Sequence, residues 1–230
     1  MGSSTTTRVE VGRSLPDGDC SLCPRLYAYR HAHRLAEPGW FNAPVPPFGD
    51  GAARLIVIGL APGLRGANRT GRPFTGDFAG EVLYPALARH GFARGLYGAA
   101  IDDGFELVDC RVTNAVRCVP PENKPTPTEI ATCRRFLVPE LNGALAPLAL
   151  LTLGRIAHES SLRALGLSLR AYPFAHGAWH ELPSGQILAA SFHTSRYNVN
   201  TGRLTAAMFE DIVARLANRL APRHPHPINP

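Results

Sequence analysis

Four short apolar runs constrain this chain more than any other feature: RLIVIGLAP (54–62), FELVDCRVTNAV (105–116), and the segments 148–153 and 187–192. The first and the last two are too short for a helix of ordinary length, 105–116 is β-rich with a strand expected to end near Asn114, and each reads as a strand. Between and after them lie stretches of helical length. One starts at Asp77 and runs to Arg89, capped by the aspartate and closed at His90-Gly91. Others run from near Thr128 to about Leu145, over 154–165 up to Gly166, and over 202–220. Strands alternating with helices make βαβ units. The expected fold is therefore α/β, a three-layer α/β/α sandwich around a central four-stranded parallel sheet. A further short helix is expected over 21–35, a proline- and glycine-rich loop over 38–51, and an irregular segment or β-excursion over 167–186.

In a sheet of this kind ligands bind where loops leave the carboxyl ends of the strands. That rule singles out 60–77, 114–127 and 193–202, which are also the most unusual stretches of the sequence. The first, with the end of its strand, reads GLAPGLRGANRTGRPFTGD (59–77). Its five glycines let backbone approach a ligand, Arg65, Arg69 and Arg72 bring positive charge, and Phe74 brings an aromatic face. The phosphate-loop patterns GxxxxGK[ST] and GxGxxG are both absent. The second loop carries four prolines within 119–127.

At 230 residues the chain suits one domain, expected over 19–221, with a flexible tail over 1–18 and a disordered one over 222–230. No apolar run reaches 18 residues and the N-terminus lacks a secretion signal, so a cytoplasmic protein without a membrane span is expected. Net charge is +6, and 23 of the 24 basic residues are arginine, Lys124 being the exception. Arginine grips phosphate bidentately, although a GC-rich genome produces the same bias. Five cysteines, Cys20, Cys23, Cys110, Cys118 and Cys133, point to a metal rather than to disulfides in that compartment. Cys20 and Cys23 form C-x2-C, and Cys118 and Cys133 bracket the proline loop. Four thiolates hold zinc or an iron–sulfur cluster, and spacing does not choose between them. Cys110, inside an apolar run, reads as a buried small residue.

The first loop, together with NAVRCVPPENKPTP (114–127) and HTSRYNVNTGRLT (193–205), resembles the family 5, or b-type, uracil-DNA glycosylases over roughly residues 18–220. Family 4 is the near alternative, but it typically has an acidic residue within Gly-x-Ala-Pro-Gly, where this chain has Leu60. The added Thr75-Gly76-Asp77 also fits family 5 better. The resemblance implies a monofunctional, monomeric glycosylase that removes uracil, and other deaminated bases such as hypoxanthine, from DNA in base excision repair. It also implies a structural [4Fe–4S] cluster on Cys20, Cys23, Cys118 and Cys133. The alternatives are a family 4-like enzyme strict for uracil and a non-catalytic uracil-DNA-binding protein.

Such an enzyme extrudes the nucleotide and reads its base in a pocket. The pocket residues implied are Gly59, Leu60, Ala61, Gly63, Phe74, Asn114 and His193. Phe74 would be the stacking platform or, alternatively, a core residue. Asn114 would pair with the pyrimidine edge or, alternatively, shape a turn. His193 would donate toward O2 of the departing base. Asp77 would handle water and the cationic sugar, cap the following helix, or do both; Ala61 stands where the general uracil glycosylase has its aspartate. Arg69, Arg72, Ser195, Arg196, Tyr197 and Asn198 would meet DNA, with Tyr197 filling the vacated space; Arg203 is a further candidate. Thr194 replaces the family's usual proline and is expected to loosen that loop slightly.

Overall fold

The computed structural model describes residues 15–221. Its central sheet is built on β2 (Leu55–Gly59), β5 (Cys110–Asn114), β6 (Ala149–Leu153) and β8 (Ile187–Ser191), which run parallel in the order β5-β2-β6-β8. Nearly every residue of the four is buried, as strands covered on both faces must be. The sheet has six strands rather than the expected four. β1 (Phe48–Gly49) pairs antiparallel with β5, and β7 (Trp179–Glu181) antiparallel with β8. Two or three residues are too few to show a periodicity, which is why β1 lay hidden in a loop-like stretch. Both strands satisfy edge hydrogen bonds that the parallel core would leave open.

Alternation along each strand divides the core into two layers. Leu55, Val57, Val112 and Leu151 face α3 (Phe78–Arg89) and α7 (Ala206–Leu220), meeting Leu83, Leu87, Phe209 and Leu216. Ile56, Ile58, Leu150 and Leu188 face α4 (Pro127–Asn142) and α5 (Arg155–Ala164), meeting Leu137, Leu141, Ala157 and Leu162. Cys110 is fully buried in the first layer, as expected of a small apolar residue.

α1 (Pro24–Ala36) precedes the sheet, and a small hairpin of β3 (Ala93–Arg94) and β4 (Glu106–Leu107) follows α3. Two short helices were not legible in the sequence: α2 (Ala67–Thr70) inside the first loop and α6 (Arg196–Asn200) inside the third. The last helix accordingly begins at Ala206, not at 202. Pro16 and Gly18, expected in a tail, belong to the folded part. Gly18 O accepts from Arg30 Nη1 at 3.1 Å and Arg34 Nη2 at 3.0 Å. Residues 1–14 and 222–230, which make up the rest of the expected tails, lie outside the described residues. Among the described residues no helix is long and apolar enough to cross a membrane.

The parallel register decides where a site can form. It sets Gly59 opposite Asn114 and Leu153 opposite Ser191, so three loops leave one edge of the sheet together. The helix that closes the second loop is anchored by a capping box. Thr126 accepts from Glu129 N at 3.3 Å, and Glu129 Oε2 accepts from Thr126 N at 2.7 Å. Replacing Thr126 with alanine is expected to lower unfolding free energy by about 1 kcal/mol, measured by denaturant titration.

Candidate active site

A cavity of about 620 Å³ opens at the carboxyl edge of the sheet, a size suited to a small ligand. Its lining comes from all three loops: Leu60 through Ala67, Phe74 and Asp77 from the first, Asn123 from the second, and His193, Ser195 and Arg196 from the third, with Asn114 at the strand end and Phe78 and Ala79 at the start of α3. Gly59 lies beneath Phe74 and Asn114. A Cβ there would strike the Phe74 ring and stand 2.5 Å from Asn114 Oδ1. The bare backbone at 59 is what lets ring and carboxamide come together.

Asn114 is 3 % exposed, and its Oδ1 is buried without a hydrogen-bond partner among the described residues. An orphaned buried acceptor is uncommon and asks for an explanation. Phe74 is 5 % exposed, packs into the core, and also lines the cavity. The Phe74 and His193 ring centroids are 6.0 Å apart with planes 27° from parallel. Burial pushes the His193 imidazole down to a pKa of about 4, leaving it neutral at neutral pH. A neutral ring keeps one N–H to donate.

Asp77 also combines its two expected positions. Oδ1 accepts from Ala79 N at 3.1 Å and Gly80 N at 3.4 Å, capping α3. Oδ2 is turned to the first loop, 3.2 Å from where a Cβ on Gly63 would stand, and Asp77 lines the cavity. Burial raises its carboxyl above the ordinary range, opposed by the two backbone donors.

The rim is basic. Arg65 and Arg69 are exposed. Arg196 lies over the Phe78 ring at 5.3 Å, and Tyr197 is 71 % exposed. Ser195 caps α6, accepting from Asn198 N at 3.4 Å, while Asn198 Nδ2 donates to His193 O at 2.8 Å. Both therefore help to shape the loop that carries His193. Arg203 lies on the Phe192 ring at 4.4 Å.

Two expectations are corrected. Arg72 is not at the DNA face: it is 2 % exposed and forms a bidentate pair with Asp103 at 2.8 and 2.7 Å beneath Phe48, Tyr84 and Tyr97. Its partner lies 31 residues away, out of reach of motif reading. Thr194 does not loosen its loop. It is fully buried, and its hydroxyl donates to Ala79 O at 3.2 Å, tying the loop to α3. Asn123 and Phe78 line the cavity without having been singled out. Asn123, in a left-handed turn between prolines, was the more readable of the two.

Away from this cavity, Cys20, Cys23, Cys118 and Cys133 together line a second, smaller one, walled by Leu22, Leu26 and Phe136. Burial pushes the Cys118 thiol up to about 12 and the Cys23 thiol up to about 11, the latter helped by Cys133. Cys133 Sγ accepts from Arg117 N at 3.3 Å. Among the described residues no group of three or more His, Cys, Asp or Glu side chains meets the geometry of a metal-ion site.

Fold and cavity define an α/β protein with a ligand-sized cavity at the carboxyl edge of its sheet, behind a basic rim. A family model, the uracil DNA glycosylase superfamily, matches residues 46–217. The type-5 uracil-DNA glycosylase of Thermus thermophilus is 47 % identical over 209 residues, covering 88 % of this chain and 94 % of that protein. Its namesake from Pyrobaculum aerophilum is 40 % identical over 203 residues, covering 86 % and 88 %. A type-4 enzyme from the same archaeon is 32 % identical over 149 residues, covering 64 % of this chain and 62 % of that protein. The chain belongs to the uracil-DNA glycosylase superfamily and, within it, to type 5.

The site's electrostatics predict a titration. His193 should titrate near pH 4 in an NMR pH series, not near the ordinary 6.5. The folded chain then binds this proton less readily than the unfolded chain, so His193 erodes stability as pH falls from about 6.5 toward 4. A midpoint near 6.5 contradicts the placement.

Proposed function

We propose that this chain hydrolyses the N-glycosidic bond of uracil in DNA, the first step of base excision repair. The observation that carries the reading is the unpartnered Asn114 Oδ1 at the base of a cavity faced by Phe74 and His193. Uracil presents an N3–H donor beside an O4 acceptor, and a carboxamide matches that pair with its oxygen and its N–H2. The Phe74 ring supplies a face for the base. His193, neutral but still a donor, stabilises the negative charge that grows on O2 as the bond breaks. Oδ2 of Asp77 orients water and steadies the cationic sugar, while Oδ1 holds the helix end that fixes its position.

Hypoxanthine carries the same donor–acceptor edge as uracil, in its N1–H and O6. The small Ala61 and the absence of a bulky guard beside Leu60 support acceptance of this larger base. Arg65, Arg69 and Arg196 meet phosphates, with Ser195 and Asn198 beside them, and Tyr197 fills the space left by the extruded nucleotide. The chain acts as a monomer.

The four-cysteine cavity is read as the seat of a structural [4Fe–4S] cluster. Four thiols around one largely apolar space, with no carboxylate or imidazole among them, form a soft donor set. Cys20, Cys23, Cys118 and Cys133 would hold the cluster as thiolates. Through these four residues a bound cluster would tie the segment before α1 to the proline loop and α4. Iron analysis and visible absorbance test this: about four irons per chain are expected, lost or sharply reduced in Cys118→Ser. Zinc alone contradicts it.

Release of free uracil from oligonucleotides under single-turnover conditions tests the function. Asn114→Ala and His193→Ala are each expected to slow release by roughly 10²–10³. Wild-type rates in either variant contradict the assigned roles. Release of hypoxanthine separates the broad reading from strict uracil specificity.

A further inference from the structure

Phe74 has a positive φ of 53°, a conformation a bulky residue adopts only where its surroundings enforce it. The enforcement comes from outside the three motif loops. Tyr97 Oη donates to Phe74 O at 3.0 Å and lies 3.4 Å from Gly76 N, which donates to it. Gly80 makes room for this contact, since a Cβ there would collide with Phe74 O and stand 2.5 Å from Tyr97 Oη. One residue earlier, Tyr84 Oη donates to Pro73 O. The turn's other end is held by Arg72, whose Nε donates to Thr75 Oγ1 at 2.7 Å while its two terminal nitrogens grip Asp103.

Tyr97 and Asp103 both sit on the segment 95–105 that joins β3 to β4, and neither lines the cavity. Asp103 also orders that segment, accepting from Gly98 N at 2.9 Å and Phe105 N at 3.0 Å. A continuous set of hydrogen bonds thus leads from a hairpin connection to the peptide that aims the pocket's aromatic ring.

From this geometry we infer that Tyr97 and Asp103 are positioning residues for base excision: they fix the Phe74 turn and thereby set the rate on the bound base and the selectivity among bases. The inference rests on the proposed reading of the pocket. Removing the Tyr97 hydroxyl leaves its ring packed against Tyr84 and Phe105 but frees the Phe74 carbonyl, so the platform should lose its fixed height and tilt.

The test compares Tyr97→Phe and Asp103→Asn with the wild-type chain in single-turnover release of uracil and of hypoxanthine. It is run beside the affinity of each protein for a duplex bearing a stable abasic-site analogue, which engages the DNA face but offers no base. The expected result for Tyr97→Phe is a loss of about tenfold in uracil release at saturating DNA, the scale of one hydrogen bond. The uracil-to-hypoxanthine ratio should shift, and abasic-duplex affinity should stay within about twofold of wild type. Asp103→Asn keeps an acceptor but loses the charge, and it should move the same readouts in the same direction. Wild-type release and ratio in Tyr97→Phe overturn the inference, as does an equal loss of abasic-duplex affinity, which signals general disruption. Failure of the wild-type chain itself to release uracil overturns the functional reading beneath it, an outcome distinct from either.

Discussion

Leaving a buried hydrogen-bond acceptor unpaired costs about 1–3 kcal/mol, and the Asn114 carboxamide oxygen carries that cost at the end of a central strand. Much of the site follows from tolerating it. The strand register brings Asn114 alongside Gly59, and the missing side chain at 59 leaves room there for both the Phe74 ring and the carboxamide oxygen. A ligand that brings an N–H to that point recovers the deficit. The surrounding sheet, buried on both faces, can bear such a deficit.

The site is assembled by ties between loops as much as by the sheet. Thr194 fastens the histidine loop to α3, Asp77 caps that same helix, and Asn198 braces the carbonyl of His193. The first and third loops, which leave the sheet at separate strands, are thus joined into one wall. The cysteine cavity lies on the second loop's other flank. There Cys118 and Cys133 sit with Val116 and Leu26 in a small apolar cluster of their own, so α1 and the proline loop meet at one point.

How much of this the sequence disclosed depends on the range of the interactions. The four parallel strands and the long helices were legible because burial on two faces writes apolar runs and helix ends write caps, as at Asp77. The loops at the carboxyl edge, with Asn114, His193 and Phe74 together, were legible from topology and from family motifs. What escaped was short or distant. β1, α2 and α6 are each five residues or fewer and carry no period. Arg72 was read as a phosphate ligand because an arginine in a glycine-rich loop resembles one. Only the folded chain places Asp103 against it, under three rings. Thr194 was misjudged for the same reason, its partner being a backbone carbonyl 115 residues away.

On the proposed reading, the Asn114 oxygen receives the N3–H of the extruded base. The direct measurement is single-turnover release of uracil and of 3-methyluracil from otherwise identical single-stranded oligonucleotides, where no opposing base complicates access. A pocket built around that hydrogen bond should release the methylated base at least about 100-fold more slowly, since it meets an acceptor with a methyl group and leaves it unpaired. Equal rates for the two bases would mean that Asn114 does not read this edge.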